Sequence, residues 1–201
     1  MTSKTNKKLA TIIMSATILL TGLTAMPSAF AHPIYAGHSH FWGSTDVCYD
    51  TTGLNALTVD GSTGNSATVG TEITNARNDW NDESSSFSFN LQASCSHWVS
   101  SASLSGGTVG QTTLTYDAFG YVYDVDFNFD SSSRTWTSGT SCDADSEPAS
   151  LRYTATHELG HWLQFNHASD STNSHSVMWT SYNCNGINVK SADATELDSV
   201  Y

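Results

Sequence analysis

Apolar and polar positions alternate with two different periods along this chain, and the switches between them mark its elements. Residues 45–49 read as a short first strand carrying Cys48, and the polar, turn-rich stretch 53–65 as a loop. Ser66 can cap a helix, and after it Val69, Ile73, Ala76 and Trp80 recur at i, i+4, i+7 and i+11. That one-sided stripe is what a helix needs to pack on a sheet. Phe87, Phe89 and Leu91 alternate with Ser and Asn, a half-buried strand leading to Cys95. Residues 100–111 have no clear period and read as a surface loop, followed by a short strand at 112–116. In the clearest strand, Tyr121, Tyr123, Val125, Phe127 and Phe129 alternate with Val122, Asp124, Asp126, Asn128 and Asp130. Pro148 suits the first turn of a second long helix, whose apolar face is Leu151, Ala155, Leu159, Trp162 and Leu163. Ser191 can cap a closing helix with Ala194, Leu197, Val200 and Tyr201 on one side.

The amino-terminal stretch changes the picture of where the protein works. Lys4, Lys7 and Lys8 precede an apolar run from Leu9 to Leu23, and Ala29-Phe30-Ala31 follows. A basic region, a hydrophobic region and a small-x-small site describe a secretory signal peptide over 1–31, leaving one domain over 32–201. The apolar run is broken by Ser15, Thr17 and Thr21, short of the roughly 20 residues that span a bilayer, so no stable membrane anchor is expected. Removing the three lysines leaves 4 basic against 19 acidic residues, a net charge of −15. So acidic a chain argues against nucleic acid or an anionic membrane as partner. An exported chain with Cys48, Cys95, Cys142 and Cys184 is expected to form two disulfides. Three pairings are open; Cys48–Cys95 with Cys142–Cys184 is favoured, because the second bridge would tie the segments on either side of the second long helix.

The chemistry concentrates in one stretch, His157-Glu158-Leu159-Gly160-His161-Trp162-Leu163-Gln164-Phe165-Asn166-His167. Histidines four apart on a helix share a face, one turn of about 5–6 Å apart, so both rings can reach one ion. His167 can join them only if the helix stops near Gln164 and the chain turns back. Three nitrogens leave a fourth zinc position open, the catalytic rather than the structural arrangement. Glu158, beside the first ligand, is placed to take a proton from water.

Together with Ser176-Val177-Met178-Trp179, this stretch resembles the metzincin metallopeptidases, and more narrowly their matrixin-like branch. The resemblance implies an α+β fold in which a twisted mixed sheet packs on helices, with a zinc-binding helix, a Met-turn at Met178 and a carboxy-terminal helix. It implies a secreted, extracellular zinc endopeptidase with His157, His161 and His167 as ligands and Glu158 as base. Tyr182 then looks like a wall of the specificity pocket. The family usually has Gly where Gln164 stands, in a left-handed backbone that costs a non-Gly residue about 1 kcal/mol. The strand over residues 121–129 resembles the one bordering the matrixin cleft, where a peptide substrate adds as an extended strand. Its Asp124, Asp126 and Asp130 could ligate calcium; a solvated edge is the alternative. A monomer is expected.

Two rivals remain open at the level of sequence. One is a zinc-binding protein that keeps the fold without the chemistry, favoured by Gln164 and opposed by Glu158. The other is a calcium-stabilised adhesion or sugar-binding module, suggested by the Ser-, Thr- and Asp-rich aromatic strands.

Overall fold

In a computed structural model of the chain, the described residues are 43–83, 86–140, 148–168, 176–179 and 189–201. Five strands form the main sheet: β1 (Ser44–Tyr49), β2 (Ser88–Leu91), β3 (Trp98–Ala102), β4 (Gly110–Tyr116) and β5 (Val122–Asp130). Their order is β2-β1-β3-β5-β4, parallel throughout except for β4, which runs antiparallel to β5 along the edge. A single-turn helix α1 (Thr51–Leu54) and the long α2 (Ser66–Glu83) follow β1. The short parallel pair β6 (Trp136–Thr137) and β7 (Ala149–Ser150) leads into α3 (Leu151–Trp162), and α4 (Ser191–Val200) closes the chain. This is the α+β architecture expected. Among the described residues, no helix is long and apolar enough to cross a membrane.

The stripe on α2 is buried as its spacing requires: Val69, Ile73, Ala76 and Trp80 sit in one core with Val47, Val99, Phe127 and Phe129 of the sheet. Each large apolar side chain so buried contributes about 1.5–3 kcal/mol. Leu151, Ala155, Leu159 and Trp162 of α3 enter the same core. Two polar ties fix α3 against α2. Trp80 Nε1 donates to the carbonyl of Thr156 at 2.9 Å, and the Arg152 guanidinium grips Asp79 with both ends, its Nε at 2.9 Å. Cys48 and Cys95 form the expected disulfide, with Cα atoms 5.9 Å apart. Cys142 and Cys184 lie outside the described residues, as do Tyr182 and the stretch 1–31 expected to be a leader.

Several local expectations change; among them, α4 is capped by Lys190, with Ser191 its first helical residue. The supposed loop at 100–111 yields its start to β3 and its end to β4. Pro148 lies ahead of β7 rather than in the helix; Ser150 caps α3, its hydroxyl accepting from the Tyr153 amide at 3.2 Å. The strand of residues 121–129 does not lie at the edge of the sheet, because β5 is paired on both sides; among the described residues the edge strands are β2 and β4. The alternation in β5 also slips. Thr115 pairs with Asp124 but Tyr116 pairs with Val122, so Tyr123 is an extra residue in the ladder. A bulge of this kind reverses which side chains face the core. Tyr121 and Tyr123 are therefore 54% and 49% exposed, while Val122 and Val125 are buried.

Candidate active site

The site is built around the end of α3. Leu163 is the last capping residue, and Gln164 adopts φ 65°. The Gln164 amide donates to the carbonyl of His161 at 2.9 Å and the Phe165 amide to that of Gly160 at 3.1 Å. Those two bonds are the Schellman pattern, which normally places Gly at the left-handed position. Gln164 takes the conformation anyway, at about 1 kcal/mol. Burial of Phe165 against Trp80, with ring centroids 5.8 Å apart, offsets that cost. The chain then doubles back, and the Ala168 amide donates to the Met178 carbonyl at 2.7 Å.

This reversal returns His167 to the helix. Its Nε2 lies 3.1 Å from Nε2 of His157 and 3.2 Å from Nε2 of His161. A tetrahedral ion with zinc–nitrogen bonds of about 2.0–2.1 Å spaces its ligand nitrogens by roughly 3.4 Å. The opposite nitrogen of each helical histidine faces a backbone carbonyl: His157 Nδ1 meets Val177 O, and His161 Nδ1 meets Phe165 O, both at 2.7 Å. A carbonyl can only accept, so both Nδ1 atoms carry the proton and both Nε2 lone pairs point inward. His167 is exposed as a residue, yet partial desolvation of its ring lowers its pKa and favours the neutral, ligating form. The donor set therefore fits zinc, and among the described residues no fourth metal-capable side chain joins it. Among the described residues, His157, His161 and His167 are the one group of three metal-capable side chains close enough to share an ion.

Glu158 is buried beside them. Burial raises its pKa to about 7, opposed by hydrogen bonds from the Thr112 hydroxyl and backbone. The Thr112 hydroxyl is 2.7 Å from Oε2. The carboxylate fills space left by the missing side chain of Gly110, where a Cβ would come within 2.7 Å of Oε1. A carboxylate with a pKa near the working pH can both accept and return a proton.

Beneath the helix, Met178 is fully buried against Gly160, where a Cβ would lie 2.1 Å from its sulfur. Only Gly permits that approach. The segment around Met178 is braced by Asp193 of α4, whose carboxylate accepts from the Ser176 hydroxyl at 2.7 Å and from the Lys190 amide at 2.9 Å. The Ser176 hydroxyl accepts in turn from the Met178 amide at 2.9 Å.

The three aspartates of β5 are not brought together. Asp130 is buried; its carboxylate accepts from the Leu104, Ser132 and Ser133 amides and from the hydroxyls of Ser132 and Ser133. Burial opposes ionisation there, yet these bonds outweigh it and hold the carboxyl well below the usual range. Asp130 is thus spoken for by its own turn. Asp124 lies 3.4 Å from His97, and burial together with the neighbouring Asp124 charge raises the pKa of Asp126. Thr112, Gly110, Asp193 and the two carbonyls went unnoticed in the sequence. Apart from the Phe165 carbonyl, four positions from His161, they act through contacts distant along the chain.

The family model described as Matrixin matches residues 55–201. No curated protein matches the chain.

Proposed function

The chain belongs to the matrixin family and is a zinc endopeptidase domain with His157, His161 and His167 as its zinc site; on that premise we propose how its own residues divide the work. The observation that carries the proposal is the convergence of three Nε2 atoms beside the buried carboxylate of Glu158. When bound, zinc polarises the scissile carbonyl and lowers the pKa of water towards neutral. Glu158 takes the proton of the attacking water and hands it to the leaving amine. Val177 and Phe165 hold the two helical imidazoles in the tautomer that presents Nε2. Met178 is the apolar floor under the helix and moves no proton. The peptide lies extended along the outer edge of β4, an edge strand among the described residues, where main-chain pairing holds a peptide with little demand on its sequence.

Matrixins are generally secreted, and the leader read over 1–31 supports an extracellular enzyme, which we take to act as a monomer. Tyr182 is kept as a wall of the specificity pocket, Cys142–Cys184 as a second bridge, and Asp124 with Asp126 as the remaining calcium ligands. The inactive-protein reading rested on Gln164, and that residue adopts the required left-handed turn. The adhesion-module reading needed an all-β chain, and the sheet is packed on helices.

Glu158→Ala tests the assignment. Zinc content and thermal midpoint should stay near those of the parent, while peptide cleavage falls by a factor of about 10²–10⁴ or more. Undiminished cleavage by the variant would overturn the role of Glu158.

A further inference from the structure

The base of this site is held by the same strand that presents its outer edge to a substrate. Among the described residues, Thr112 of β4 is the one hydrogen-bonding partner of the Glu158 carboxylate, through its hydroxyl, 2.7 Å from Oε2, together with its main chain. The same hydroxyl lies 3.2 Å from the Glu158 main-chain carbonyl, so it touches the residue at both ends. Gly110, two residues earlier and on the same face of β4, leaves the gap that Oε1 occupies. A side chain with three rotatable bonds is thereby fixed from two sides by one strand.

We propose that Thr112 is a positioning residue for the general base: its hydroxyl pins Oε2 of Glu158 and so holds the carboxylate in place to receive the proton of the attacking water. The inference rests on the peptidase reading above. It adds that β4 aligns base and peptide together, since the outer side of the strand pairs with substrate while Thr112 reaches inward to Glu158. No covalent role falls to Thr112, and its hydroxyl proton stays in place. A misplacement of a catalytic group by about 1 Å can cost up to 10²-fold in rate. Losing the clamp should therefore lower kcat while leaving KM, which reports the outer edge of β4, nearly untouched.

The experiment uses the zinc-loaded mature protein and its Thr112→Val, Thr112→Ala and Thr112→Ser variants. Val keeps the shape and strand preference of Thr, Ala guards against a Val-specific packing fault, and Ser restores the hydroxyl. Expected are a kcat about tenfold lower for Val and Ala, KM within about twofold, and recovery in Ser. Zinc content should not change. Crystal structures of the zinc-loaded variants give the readout that does not depend on turnover: Oε2 of Glu158 should move from its place in Val and Ala and return in Ser. Parental kcat in both Val and Ala, a Ser variant as impaired as they are, or an unmoved carboxylate would each overturn the role of Thr112. An inert parent protein would instead count against the peptidase reading, with the crystal structures still deciding the clamp.

Discussion

The end of α3 and the β4–β5 hairpin each depart from regular geometry by a single residue, with opposite consequences. At Gln164 one left-handed residue stops the helix, and the chain returns His167 to the histidines it left behind. At Tyr123 one extra residue slips the ladder and turns Tyr121 and Tyr123 out to solvent. The first departure is enforced by two local hydrogen bonds and a buried Phe165, and it makes the site. The second is tolerated where the hairpin leaves the core, and the site is built without it. Irregularity matters here in proportion to what is buried behind it.

Substitutions can break or sharpen that contrast. The largest effect is expected from Gln164→Val. A β-branched residue resists φ 65°, so the turn should open and His167 should leave the cluster. Zinc affinity should fall more than tenfold by competition with a chromogenic chelator, whereas Tyr123→Ala should bind zinc as the parent does. Next is Gly110→Ala, at the inner end of the hairpin. Its new Cβ would press on Oε1 of Glu158 and on the Thr154 side chain, so cleavage should drop about tenfold with zinc retained. The smallest effect on the site itself is expected from Asp130→Asn, at the end of β5, which acts on stability instead. The native carboxylate ionises more readily than in the unfolded chain, so its contribution is fully present above the ordinary aspartate pKa and is lost as pH falls from there through the lower pKa of the folded state. The variant should lose on the order of 2 kcal/mol at neutral pH by urea unfolding. Below about pH 3 the gap to the parent should narrow.

Much of this was legible in sequence, for reasons that differ by element. The α2 stripe and the α3 histidines obey a local period, and Gln164 was marked as the position that had to turn. β3 was missed because it is an interior strand with serines inside. Ser101 donates to the Gly53 carbonyl at 2.7 Å, so a polar side chain is satisfied where an apolar one was sought. The β5 register failed because nothing in an alternating sequence announces a bulge. The substrate edge was assigned to β5 rather than β4, since pairing order depends on contacts distant along the chain. Thr112 was unreadable for the same reason: its partner lies 46 positions away.

The most direct test of the central claim is X-ray absorption at the zinc edge of the purified mature protein, parent against His167→Ala. Three imidazole nitrogens at about 2.0–2.1 Å in the parent, reduced to two in the variant, are the expected result. A parent site with only two imidazoles, or a variant that keeps all three, would contradict the reversal at Gln164 on which everything else depends.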